Sequence, residues 1–358
     1  MRLAFYAPMK SPTHPVPSGD RNIARSLIAA LKHMGAEVTL ASTLRSRDGK
    51  GDESVQHSLQ DAAQSEVDRL IPRGRTAGWQ AWITYHNYYK APDLIGPNVS
   101  KALGIPYLQI ESTRARKRLT GAWAGFARAA EAAADAADVV FYFSTRDAVG
   151  LRENATASQH LVHLRPFLPA VSVPQVQASD GAMLSVGMMR AGDKMASFEV
   201  IAKTLALLSH DNWHLDIAGD GPARADVEAL MAPFGTRLRF LGQLDPDALS
   251  TAYQNASLMF WPGVNEALGM VYLEAQAAGL PVLAQDRPGM REVLAPARYP
   301  APDEGPAGLA RVLDEMLANP SQRRQSGKAA QEYVAQHHLM PAAASTLRDG
   351  LARVGVTL

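Results

Sequence analysis

The feature that most constrains this chain is an alternation, run through twice, of short β-rich stretches with longer alanine- and leucine-rich helical segments. That order gives parallel sheets covered by helices on both faces. In the first half the strand candidates are RLAFYAP (2–8), AEVTLAS (36–42), AWITYH (81–86), IPYLQIE (105–111) and DVVFYFS (138–144). Helices such as NIARSLIAALKHMG fall between them, with Gly35 suited to the position just past a helix end. The second half repeats the pattern with AMLSVGMM (182–189), WHLDIAG (213–219), RLRFLG (237–242), LMFWPG (258–263) and PVLAQD (281–286). Between the halves, after QHLVHLRPF (159–167), periodicity gives way to prolines and small polar residues, the mark of a linker. The expected division is a first doubly wound domain over 1–172, a second over 173–336, and a helical segment over 337–358 with a break near Pro341. The polar stretch from about 43 to 75, which includes RSRDGKGDES, is expected to hold a mobile loop ahead of the next strand.

A chain of 358 residues is long enough for two domains that each bury a core. With 47% hydrophobic and 20% charged residues it has ordinary soluble globular composition. Lys and Arg (36) balance Asp and Glu (35), so no global field favours nucleic acid, and any anion must be bound locally. The absence of cysteine removes disulfides, thiolate metal sites and cysteine nucleophiles, and fits a reducing compartment. The apolar run in MRLAFYAPMKSP is too short for a secretory leader, and no stretch approaches 18 apolar residues, so the chain reads as cytoplasmic.

Open α/β sheets bind ligands beyond the carboxyl ends of their strands, and two such domains in tandem leave a cleft there. The segment NEALGMVYLEAQAAGLPV (265–282) follows one strand and places Glu266 in the strand-to-helix turn. Glu274 lies two turns into a helix expected over 268–278. Eight residues at 100° each return to within roughly 80° of the same face, so both carboxylates can look toward one ligand. Amides of Leu268, Gly269 and Met270 at the helix start suit a phosphate or sugar oxygen, and Gly269 permits close approach to the backbone. Carboxylates accept from the vicinal hydroxyls of a sugar or ribose. In SVGMMRAGDKMAS a strand ends at Gly187 and is followed by Arg190 and Lys194, a guanidinium fork and an ammonium point charge that a diphosphate would need. The motif GDG (219–221) marks a tight turn after a further strand.

Taken in order, VGMMR…K (186–194), IAGDGP (217–222), RFLG (239–242) and WPGVNEALGMVYLEAQAAGLPVLA (261–284), with its E-x7-E frame, resemble the retaining family 4 glycosyltransferases of the GT-B fold. The resemblance covers nearly all of the second half, whereas the first half matches only in layout. It implies two Rossmann-like domains and a nucleotide-activated sugar, a UDP-, GDP- or ADP-sugar, as donor. By position it implies that Glu274 accepts the ribose hydroxyls and Glu266 those of the donor sugar. Arg190 and Lys194 would hold the diphosphate, and the Gly269 and Met270 amides would assist. It also implies that Gly187 lies by the donor and that Leu241 and Gly242 offer backbone contacts to the base. The tail helices of such enzymes cross back to the first domain, so residues after about 337 are expected to do so. Departures from the family pattern are Met188 and Met189 ahead of Arg190, Ser18-Gly19 where paired glycines often open the first helix, and Glu111 where many members carry a histidine. Gly19 is retained as a donor-phosphate candidate.

No Asp-x-Asp pair follows a strand, and His160/His163 and His337/His338 lack carboxylates in frame, so neither a metal nor a cofactor is expected. Charge on the departing nucleoside diphosphate would be met by Arg190, Lys194 and helix amides, where one preorganised donor is typically worth roughly 3–4 kcal/mol. In the family the departing phosphate can take the acceptor proton; His86 and Glu111 are the remaining candidates for orienting or proton handling. For the acceptor, a saccharide or a lipid-linked group, the signal is thinner. RARKR (114–118) lies beside Trp123 in the sequence, and HNYYK (86–90) adds Tyr88 and Tyr89. A phosphorylated or lipid-linked acceptor, a peripheral contact with an anionic membrane surface, and a solvated loop all stay open for this stretch. MKSPTHPVPSGD after the first strand holds no G-x-G-x-x-G, which argues against a nicotinamide dehydrogenase. The rival readings are another enzyme on the same architecture, such as a sugar-nucleotide epimerase or a phosphorylase, and a non-catalytic sugar-nucleotide-binding protein.

Overall fold

A computed structural model describes residues 1–16, 18–175 and 179–357, so residues 176–178 of the expected linker lie outside the described residues. The chain forms two compact units, Met1–Arg165 with Met340–Leu358, and Pro166–Leu339. The first runs β1 (Arg2–Tyr6), α1 (Gly19–His33), β2 (Glu37–Leu40), α2 (Glu53–Ala77), β3 (Ala81–Asn87), α3 (Gly96–Leu103), β4 (Tyr107–Ser112), α4 (Ala124–Asp135), β5 (Val139–Tyr142), α5 (Thr145–Asn154) and β6 (His160–His163). The second runs β7 (Met183–Val186), α6 (Asp193–Leu205), β8 (Leu215–Ala218), α7 (Arg224–Met231), β9 (Leu238–Gly242), α8 (Pro246–Asn255), β10 (Met259–Phe260), α9 (Met270–Ala277), β11 (Val282–Leu283), α10 (Gly305–Ala318) and α11 (Pro320–His337). A last helix, α12 (Met340–Ala352), returns to the first unit, where it packs on α1, β5 and β6.

Both sheets are parallel throughout. The first has order β2-β1-β3-β4-β5-β6 and the second β11-β10-β7-β8-β9. In each, the strand order reverses once, between β1 and β3 in the first unit and between β7 and β10 in the second. That switch point is where adjacent loops leave in opposite directions and open a crevice at the strand ends. Strands buried on both faces read as apolar runs: Leu3 to Tyr6, Val139 to Phe141 and Met259 to Trp261 are all almost fully buried.

Two expectations change. Residues 53–77 form a 25-residue helix, capped by the Asp52 carboxylate on the Ser54 and Val55 amides. The stretch from about 43 to 75 reads as holding a loop from the charge and glycine of RSRDGKGDES; irregular backbone does occupy 41–52, and the helix takes the remainder. Only a narrow stripe, Gln56, Ala63, Val67, Leu70 and Gly74, is buried, and that suffices to hold the helix. The units divide at Arg165/Pro166 and Leu339/Met340. The first division lies upstream of 172/173 because the 166–168 segment is tied to the end of α11: the Leu168 amide donates to the His338 carbonyl at 2.8 Å, and His338 Nδ1 lies 2.7 Å from the Pro166 carbonyl oxygen.

Candidate functional site

In the second unit the loops after β7 and β10, the two strands flanking the switch point, carry four of the predicted residues. Glycines let the loop after β7 run close to its neighbours. A Cβ on Gly187 would enter the Trp261 ring, and one on Gly219 or Gly221 would run into the carbonyls of Gly187 and Met189. Met189 is fully buried, and its amide and carbonyl bond to Asp220 and Ala223, so Met188 and Met189 form part of the β7–β8 joint before Arg190 emerges. Arg190 is exposed, and its side chain has no hydrogen-bond or ion-pair partner among the described residues.

Lys194, in the first turn of α6, lies 2.5 Å from Glu266 Oε2, with side chains 15% and 18% exposed respectively. The same carboxylate oxygen accepts from Trp261 Nε1 at 3.2 Å, and the ammonium sits 5.2 Å from the Trp261 ring centroid. The loop around Glu266 is stitched to α6 by two further bonds, Asn265 Nδ2 to Asp193 Oδ1 at 2.9 Å and the Val264 amide to Ser197 Oγ at 3.1 Å. Asn265 takes φ 48°, a left-handed backbone that aims the following residue back at α6. Helix α9 begins at Met270, two residues later than the sequence suggests, because Gly269 adopts φ 59° as its cap. Gly269 is buried, and a side chain there would strike Tyr272 and Val293, so packing itself requires the glycine.

Glu274 lies apart from that pair. It is half-buried and accepts from the Tyr253 hydroxyl of α8 at 3.0 Å. Burial pushes its carboxyl above the usual range, against the opposing effect of the Tyr253 bond. Leu241 and Gly242 end β9; Gly242 has φ 70°, and its carbonyl accepts the Gly219 amide at 2.8 Å. The structure therefore joins Lys194 to Glu266, seats Glu274 on Tyr253 and leaves the Arg190 side chain unpaired among the described residues. Tyr253, Trp261, Asp193 and Asn265 were not singled out from sequence.

The first unit has its own cluster at its own switch point. His86 is the penultimate residue of β3, and its Nδ1 lies 2.8 Å from Asp20 Oδ1 in the first turn of α1 and 4.0 Å from Oε2 of Glu111, the penultimate residue of β4. Burial disfavours the charged imidazole, but the Asp20 bond and the two neighbouring carboxylates prevail, and its pKa is raised. Asp20 is held low, first by the His86 bond. Burial pushes Glu111 up despite the favourable His86 charge. His86 and Glu111 have φ 66° and 58°; with Asn265 they are the non-glycine residues of positive φ among the described residues. Such strain gathers at binding and catalytic positions. Asp20 went unrecognised because it is 66 positions from His86 in the chain. Gly19, beside it, opens α1 after the Ser18 cap, and a Cβ there would meet nothing within 4 Å. No helix among the described residues is long and apolar enough to cross a membrane.

Two parallel-sheet Rossmann-like domains, each with polar side chains gathered at its switch point, define the GT-B fold class. Residues 177–333 match the family described as Glycosyl transferases group 1. The chain is 37% identical over 91 residues to the sulfoquinovosyl transferase of Arabidopsis thaliana, which is 25% of this chain and 16% of that protein. It is 33% identical over 131 residues to the 2-deoxystreptamine glucosyltransferase of Streptomyces kanamyceticus, covering 34% of each. The chain thus spans about a sixth to a third of the length of these relatives. Solved structures extend the likeness over the whole fold. The sucrose-phosphate synthase of Thermosynechococcus elongatus superposes with a TM-score of 0.68 at 20% identity, covering 97% of each chain. Anabaena HepE in complex with UDP superposes with a TM-score of 0.69 at 14% identity, covering 98% of this chain and 100% of that one.

Proposed function

We infer that this protein transfers a sugar from a nucleoside-diphosphate sugar to an acceptor hydroxyl, with retention of configuration and without a metal ion. The observation that carries this reading is the convergence of Lys194 and Glu266 at the switch point of the second sheet, with Arg190, exposed and unpaired among the described residues, on the loop just ahead of Lys194. A relative named as a glucosyltransferase and a fold neighbour crystallised with UDP support the choice of donor. Arg190 and Lys194 take the diphosphate; an ammonium has three donors, so Lys194 keeps Glu266 and still reaches a phosphate oxygen. Glu266 accepts from the donor sugar and Glu274 from the ribose. Gly187, Leu241 and Gly242 supply backbone contacts. The glycosidic C–O bond to the phosphate breaks, the acceptor oxygen forms the new one, and the acceptor proton passes to the departing phosphate. His86, held by Asp20, and Glu111 orient the acceptor in the first unit.

The test is a thermal-denaturation panel with UDP-, GDP- and ADP-glucose, followed by assay of nucleoside diphosphate release with acceptor extracts. One donor should raise the melting temperature, and Glu274→Gln should remove most of that rise. If no sugar nucleotide shifts the melt at millimolar concentration, the reading is wrong.

A further inference from the structure

We propose that the first unit carries an anion-recognition ledge for a phosphate-bearing saccharide acceptor, formed by Tyr88, Tyr89 and Trp123 with Lys90 and Arg118; the reading rests on the transferase assignment above. The rings form a chain that starts at the His86 cluster. Centroids of His86 and Tyr88 are 5.0 Å apart, those of Tyr88 and Tyr89 5.5 Å, and those of Tyr89 and Trp123 5.8 Å. At the far end two cations share the same two rings. Lys90 Nζ lies 5.7 Å from the Tyr89 centroid and 5.1 Å from that of Trp123, and the Arg118 guanidinium carbon lies 5.2 and 5.6 Å from them.

Neither Lys90 nor Arg118 has a carboxylate partner among the described residues. The nearby acids are engaged elsewhere. Asp48 accepts from the Lys50 and Asp52 amides and from Gln56, and Asp52 caps α2. Arg114, from the same basic run, pairs with Glu131 at 2.9 Å and Asp135 at 2.6 Å and is lost to the ledge. Two like charges held half-buried against the same aromatic faces, with no carboxylate partner among the described residues, favour an incoming anion. Trp123 Nε1 and Arg118 Nε also have no acceptor among the described residues.

The ledge is prebuilt. Asn87 anchors its start by donating to the Ala130 carbonyl and accepting the Asp93 amide, and the Tyr88–Ala91 turn closes on itself. Flat rings bind the apolar faces of a sugar, the cations bind its phosphate, and the reacting hydroxyl is thereby presented toward His86.

The experiment measures binding by tryptophan fluorescence for inorganic phosphate and for glucose against glucose 6-phosphate, with sedimentation on anionic and zwitterionic lipid vesicles as a further arm. It compares the protein with the Lys90→Met, Arg118→Met double variant, which keeps the stems packed on the rings. The expected result is at least tenfold tighter binding of glucose 6-phosphate than glucose. That preference should fall with added salt and vanish in the double variant, whose donor-induced melting shift stays intact. Equal binding of the two sugars, a phosphate preference that survives in the double variant, or a variant effect confined to anionic vesicles each overturns the proposal. Loss of the donor shift in the unmodified protein would instead strike the transferase reading.

Discussion

Glu274→Gln separates the cost of a buried charge from the use made of it. The carboxylate is half-buried, accepts one hydrogen bond from Tyr253 and pairs with no cation among the described residues, so burial lifts its pKa. A carboxyl whose folded pKa is raised favours the fold below its unfolded pKa, and that contribution is lost as pH rises through the folded value. Removing the charge should therefore raise the ligand-free melting temperature at pH 7–8. Glutamine keeps an acceptor for the Tyr253 hydroxyl, whereas alanine would strand it at about 1–3 kcal/mol. With donor present the sign reverses. Hydrogen bonds to a charged acceptor are worth about 1.5–3 kcal/mol and neutral ones about 0.5–1.5, so weakening two bonds to ribose costs about 2–3 kcal/mol, or roughly 30- to 150-fold in Kd. A donor at about 100 times Kd stabilises the parent by about 2.7 kcal/mol; the variant at the same concentration retains only about 0.3–0.9 kcal/mol. For a domain of this size that is a fall from roughly 5–10 °C of shift to under about 4 °C. Differential scanning fluorimetry with and without donor reads both numbers. A variant that melts lower without ligand, or that keeps the full donor shift, refutes the reasoning.

Three further outcomes follow from the geometry. Lys194→Ala leaves Glu266 with Trp261 as its remaining side-chain partner and should lower kcat about 10²- to 10³-fold, read as nucleoside diphosphate release; a loss under tenfold removes Lys194 from the diphosphate role. The His86–Asp20 pair stabilises the first unit fully between about pH 4, above the unfolded Asp value, and about pH 6.5, the unfolded His value. Its contribution fades as pH rises through the raised His86 pKa and as pH falls through the lowered Asp20 pKa. Asp20→Asn should bring the His86 NMR titration midpoint down, and an unmoved midpoint would show that Asp20 does not hold the imidazole. Gly219→Ala forces a side chain onto φ 141° against the Gly187 carbonyl and should cost roughly 2–5 kcal/mol in urea unfolding; a cost below about 1 kcal/mol would mean the β7 loop can yield.

The strands were legible because parallel strands covered on both faces must be apolar along their length, and runs such as AWITYH and DVVFYFS announce that directly. Helix α2 was not, because its buried stripe is narrow and the surrounding Asp, Gly and Lys residues dominate a local window. Glu266, Lys194 and Glu274 could be picked out since each follows a strand end in a motif of fixed spacing. Their partners could not: Tyr253 meets Glu274 across 21 positions and Asp20 meets His86 across 66, separations that only the strand order closes. Knowing that β1 and β3 flank the switch point would have drawn attention to Asp20.

The return of α12 to the first unit has a consequence for how the protein is made and cut. Gly350 packs so closely on Phe141 of β5 that any side chain there would enter the ring, and Leu347 and Leu351 are fully buried. The half translated first is thus finished last. It waits through synthesis of the entire second unit for residues 340–352, so a stop codon or protease nick near Leu339 would injure the opening half of the chain and spare the segment just before the break.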